Sequence, residues 1–79
     1  MTYFMNVITT KKLPATDLKG ARIKAKHVSG SKTMPYNGAW NDDENHETAA
    51  ELLGAELGMD YTSISSARYD VGEHVHILQ

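Results

Sequence analysis

The chain has no cysteine, two prolines, one phenylalanine and one tryptophan in 79 residues. Without thiols there can be no disulfide and no thiolate metal centre, so neither of the usual staples of a small fold is available in its sulfur form. A single domain spanning 1–79 must therefore rest on a thin apolar core, a partner subunit, or both. No apolar run approaches the 18 residues of a membrane-spanning helix. The start MTYFMNVITTKK also lacks a basic region followed by an apolar one, as a secretory signal requires. The expectation is a soluble, cytoplasmic protein with no membrane partner.

Each half of the chain is also short of one sign of charge. Up to residue 40 the one acid, Asp17, stands against Lys11, Lys12, Lys19, Arg22, Lys24, Lys26 and Lys32, a net of +6. From residue 41 onward Arg68 stands alone against nine Asp and Glu residues, a net of −8, so the overall −2 conceals a strongly dipolar molecule. If the halves fold onto different surfaces, one face attracts phosphates or acidic groups and the other attracts basic ones.

The regular elements follow from periodicity and punctuation. Residues 4–10 are rich in β-formers and read as a first strand, followed by a lysine-bearing loop broken by Pro14, Asp17 and Gly20. Over 21–28, Ala21, Ile23, Ala25 and His27 alternate with Arg22, Lys24, Lys26 and Val28, which is the pattern of a half-buried strand with one basic face. Ser29-Gly30 is a turn and 32–36 a returning strand, with Pro35 favouring a sheet edge. Asn41 with Glu44 three residues later forms a capping box. A helix then presents His46, Ala49, Ala50, Leu52, Leu53 and Leu57 inward and ends at Gly58. Gly54 within it points to close packing on the sheet. Residues 61–68 and 73–78 are the last two strands, joined by a turn at 70–72. The expected fold is α+β: a mainly antiparallel sheet of four to five strands, in the order β-β-β-α-β-β, covered on one face by a single helix.

Three groups of residues carry candidate chemistry. Arg22, Lys24 and Lys26 recur every second residue, which sets them about 6.6–6.8 Å apart on one face, close to the phosphate step of an extended nucleic acid. Lys11, Lys12, Lys19 and Lys32 extend this patch, although few aromatics are at hand for base stacking. The alternative is a solvated face, or one neutralised by the acidic half of a second copy. Glu47, Glu51 and Glu56, with the acids at 42–44, make a negative helical band about 20 Å long. It serves solubility, or imitates a row of phosphates and docks on a basic groove of another protein. His74 and His76 share one side of the last strand at a spacing that suits two metal ligands. A third would have to come from His27, His46 or a carboxylate, and nothing adjacent supplies it. No metal and no cofactor are therefore expected, and His46 reads as a hydrogen-bonded structural residue. Ser63, Ser65 and Ser66 have no nucleophile elbow, and Gly30-Ser31-Lys32 lacks the frame of a phosphate loop, so no catalytic residue is assigned and no enzyme is expected.

Several segments together resemble a family of small, largely uncharacterised proteins carried by phages, plasmids and prophages. They are ITTKKLPAT (8–16), GARIKA (20–25), Pro35-Tyr36, ENH with the alanines after it (44–50), LG (57–58) and GEHVHIL (72–78). Met59 departs from that pattern, where a Trp commonly follows the Leu-Gly pair. The resemblance implies a bacterial host cytoplasm and no established activity. By analogy of setting and size it points to a non-enzymatic inhibitor, anti-CRISPR-like in its sharpest version, that binds a host defence or nucleic-acid-handling complex and occludes a nucleic-acid site. Direct nucleic-acid binding through strand 21–28 and loop 11–20 is the alternative. A homodimer of complementary faces is a further expectation.

Overall fold

A computed structural model describes residues 6–18 and 20–79. Its elements are β1 (Val7–Leu13), β2 (Arg22–His27), β3 (Gly30–Pro35), α1 (Asp42–Glu56), β4 (Ile64–Asp70) and β5 (Glu73–Leu78). The five strands form one sheet in the order β3-β2-β1-β5-β4, antiparallel at every junction. The α+β architecture expected from the sequence, five strands with one helix, is the architecture observed.

Within the described residues the first strand spans Val7–Leu13 and ends later than its composition suggests. Pairing of β1 with β2 runs from Thr9↔Lys26 to Leu13↔Arg22, so the ladder carries Lys11 and Lys12 into the sheet. They are strand residues rather than loop residues. Residues 4 and 5, which belonged to the expected strand, lie outside the described residues, as does Lys19. The β2–β3 hairpin forms as expected, and β3, ending at Pro35, is an edge strand. The fourth strand starts at Ile64 rather than 61, because the backbone N–H groups of Thr62 and Ser63 donate to the Gln79 carbonyl and close the chain end there.

Helix α1 starts as its sequence dictates. The Asn41 side chain accepts from the Glu44 N–H, and the Glu44 side chain accepts from the Asn41 N–H, so the capping box is complete. At the other end Gly58 takes φ +74°, the left-handed conformation that stops a helix at low cost in glycine. The helix lies across β1, β2 and β3 and touches β5, while β4 extends beyond its cover. Its buried face is Asn45, His46, Ala49, Ala50, Leu53 and Gly54. Leu52, expected inward, is instead 42% exposed: it lies at the margin of the buried stripe, nearly in line with Asn45 seven residues before it.

The interior has two chemically different ends. Under the C-terminal half of α1, Ile8, Ile23, Ala25, Ala50, Leu53 and Leu78 form an apolar core flanked by Met34, Leu57, Met59 and Tyr61. Gly54 permits this contact, because a Cβ there would lie 2.8 Å from Leu78 Cδ2. Under the N-terminal half, Thr10, Asn45, His46, His74 and His76 are buried polar side chains.

Candidate functional site: a basic sheet face, an acidic helix and a buried histidine cluster

Strand alternation assigns the cations to faces. Because Thr10, Ile23 and Ala25 are buried beneath the helix, Lys11, Arg22, Lys24 and Lys26 project from the opposite, uncovered face. Lys11 stands directly across from Lys24 in the β1–β2 register, a like-charge pair that disfavours the sheet. Glu73 is across from Lys11 on its other side and accepts a long hydrogen bond from Tyr69 Oη at 3.3 Å. No carboxylate among the described residues lies within ion-pair distance of Lys11, Lys24 or Lys26. Thr9, Lys11, Lys24, Lys26, Tyr69 and Glu73 line a depression of about 290 Å³ there.

Two of the expected patch residues belong to the other side of the sheet. The Lys12 ammonium lies over the Tyr36 ring, 4.2 Å from its centroid. Lys32 pairs with Glu56 at 2.8 Å. Parity places both with the helix, so the uncovered cationic face is Lys11, Arg22, Lys24 and Lys26. The acidic band is likewise shortened, since Glu56 is already paired. Asp43, Glu44 and Glu51 are exposed and Glu47 half-buried on α1, which contains no Lys or Arg. The unpaired lysines and the free helix carboxylates therefore lie on opposite sides of the sheet, with Lys12 and Lys32 on the helix side and Glu73 on the uncovered face as exceptions.

Between sheet and helix lies a cluster that sequence reasoning located only in part. His74 and His76 do share a face of β5, but the residues that join them come from β1, β4 and α1. Thr10 Oγ1 is 2.6 Å from His46 Nδ1 and 2.8 Å from His76 Nε2, and Ser66 Oγ is 2.7 Å from His76 Nδ1. Donation from His46 Nδ1–H to Thr10, from the Thr10 hydroxyl to His76 Nε2, and from His76 Nδ1–H to Ser66 gives each contact one proton. That direction leaves His46 Nε2 with a bare lone pair. The reverse direction places an N–H there, facing an oxygen too distant to accept it. In both directions His46 Nε2 is buried without a partner, and His74 Nε2 is in the same position. Each unmet polar atom costs about 1–3 kcal/mol, a large fraction of what so small a core supplies.

The rings of His46 and His74 are stacked, with centroids 3.7 Å apart and planes within 4°. Burial, and then the neighbouring His74, hold His46 below the ordinary histidine pKa. Burial also pushes His76 down to about 4, with His74 and His46 adding to the effect. Asp42, one turn before His46, faces this pair. Its Oδ1 accepts a hydrogen bond from Tyr36 Oη at 2.8 Å, which is the main reason its carboxyl is held below the usual range. Asp42 Oδ2 lies 3.9 Å from His46 Nε2 and 4.0 Å from His74 Nε2. Asp42, His46 and His74 thus bring three potential ligand atoms within 4.8 Å of one another. His27, the other histidine considered for a ligand set, accepts from the Ser29 N–H at 3.0 Å and lies outside this group.

Asn45, also absent from the sequence reading, organises the loop ahead of the helix. Its Oδ1 accepts from the Asn37 N–H at 2.7 Å, and its Nδ2 donates to the Asn37 and Asn41 carbonyls at 2.9 and 3.0 Å. An asparagine at inward helical spacing just after a cap was the available signal. The loop also delivers Tyr36 to Asp42. No protein-family profile, curated protein or solved structure matches the chain.

Proposed function

We propose that this chain is a non-enzymatic, stoichiometric binding protein. Its target is a host defence or nucleic-acid-handling complex, anti-CRISPR-like in the setting implied by its resemblance to mobile-element proteins. The supporting observation is the segregation of charge: an uncovered sheet face bearing Lys11, Arg22, Lys24 and Lys26, and an acidic helix on the opposite side. Such a molecule can cover a nucleic-acid site either by capping acidic groups or by presenting its own carboxylate row, and charge steering hastens either encounter. The test is co-purification from a host strain, with the tagged wild-type chain beside a Glu47→Lys/Glu51→Lys variant and a Lys24→Ala/Lys26→Ala variant. A defence or nucleic-acid-handling complex should be retained by the wild type, lose its nucleic-acid binding in the presence of the chain, and be released by one of the variants. Retention by all three chains alike would overturn the reading.

Direct nucleic-acid binding is a second reading, favoured by one specific feature. The Lys11–Lys24 repulsion is left beside an open depression rather than relieved by an ion pair. Phosphate contacts by Lys11, Lys24 and Lys26, the three cations of the depression, predict a mobility shift of single-stranded DNA at low salt, with affinity falling at a log–log slope of about −2. No shift at low salt would remove this reading and leave the first untouched.

A further inference from the structure

We propose that Asp42, His46 and His74 form a binding site for one divalent transition-metal ion, with zinc the best match to the donor set. Two imidazole nitrogens and a carboxylate oxygen suit zinc and its first-row neighbours better than magnesium or calcium, which take all-oxygen shells. Around tetrahedral zinc the donors lie at about 2.0–2.2 Å, hence about 3.4 Å from one another. The present separations of Asp42 Oδ2 from the two Nε2 atoms, 3.9 and 4.0 Å, are within a small closure of that value.

The independent observation is that both ring nitrogens aimed at Asp42 are buried and unpartnered. With the network donating from His46 Nδ1–H toward Ser66, a divalent cation satisfies the two imidazole nitrogens and the carboxylate together. The surrounding bonds are those of an outer shell. Thr10 holds His46 by Nδ1, which fixes the ring with Nε2 turned to the site. Tyr36 holds Asp42 by Oδ1 and leaves Oδ2 free.

One change is required on binding. The stacked rings carry their in-plane lone pairs nearly parallel, so His74 must tilt before both nitrogens converge on one ion. No short hydrogen bond among the described residues restrains it; the carboxylate facing its Nδ1 is Asp43 Oδ1 at 3.9 Å. A cavity bounded by Asp43, Glu47, Ser66, Ala67, Arg68 and His74 opens onto this ring, with two carboxylates against one guanidinium at its mouth. Lys12, drawn over the Tyr36 ring, is the cation that opposes a metal here. Three protein donors leave a fourth position for water or for an atom of a partner.

The test is calorimetric titration of the full chain with zinc at neutral pH, together with cobalt absorption spectroscopy and histidine ¹⁵N NMR. One ion per chain, a raised melting temperature and shifted Nε2 resonances of His46 and His74 are expected. His46→Gln, His74→Gln and Asp42→Ala should each weaken zinc by more than about tenfold. Asp42 is a half-exposed helix-surface residue, so Asp42→Ala decides the matter if a buried histidine variant fails to fold. Absence of binding to the folded wild type, or binding unchanged in Asp42→Ala, would overturn the proposal. Equal stabilisation by magnesium would overturn the assignment of the donor class.

Discussion

Asn45 shows at the scale of one residue how much of this fold hangs on a single amide. It is fully buried and bonds to backbone groups on both sides of the loop ahead of α1. Asn45→Ala would leave the Asn37 N–H without its acceptor, while the Asn37 and Asn41 carbonyls keep the backbone N–H groups of Trp40 and Asn45, and should lower the unfolding free energy by about 1–3 kcal/mol in urea titration. The histidines give a second prediction at this scale, for the metal-free protein in the presence of a chelator. His46 and His76 have folded-state pKa values below the ordinary 6.5, so the unfolded chain takes up more protons than the folded one. Their contribution is complete above about pH 6.5 and is lost as pH falls toward the His76 value of about 4. The urea midpoint should decline across that interval, and His76→Gln should flatten the decline. Asp42, whose pKa is lowered from 3.8, acts in a separate window: its contribution is lost only as pH falls through that depressed value.

At the scale of elements, Gly54 sets two effects against each other. Alanine would raise helix propensity by about 1 kcal/mol, but its Cβ would lie 2.8 Å from Leu78 Cδ2. Leu78 is 1% exposed and has little room to yield. Overpacking of a filled core costs about 1–3 kcal/mol, so Gly54→Ala should destabilise, read as a lower melting temperature. The helix, the β2–β3 hairpin and β5 were legible in the sequence because each carries its own punctuation: the Asn41–Glu44 box, Gly58, the alternation of 21–28, and the turn at 70–72. The limits of β1 and β4 were not, since β1 is extended by its partner β2 and β4 is delayed by Thr62, Ser63 and Gln79. The same reasoning applies to the sites. Arg22, Lys24 and Lys26 share a face by parity alone, whereas Lys12 and Lys32 left the patch through contacts with Tyr36 and Glu56 that no local pattern encodes. His74 and His76 were visible as a pair, but Thr10, Ser66, Asp42 and His46 reach them only through sheet order and the docking of α1.

For the whole molecule, the separation of charge bears on self-association. The uncovered basic face and the acidic helix are complementary, which supports a homodimer or head-to-tail assembly between copies. Such contacts should weaken with added salt, since the charges are exposed. Sedimentation at high protein concentration and low salt should show a mass above the monomer that reverts on raising salt; a monomer under all conditions would exclude this association. Among the described residues no helix is long and apolar enough to cross a membrane.

The central place of β1 and β5 also has a kinetic meaning. Val7 aligns with Ile77, so the middle of the sheet is a junction between segments separated by nearly the full described sequence. During synthesis the hairpin and helix can form early, but the three-strand centre has a gap until Glu73–Leu78 clears the ribosome. A chain stopped at Gly72 should therefore remain protease-sensitive, however sound its hairpin and helix are.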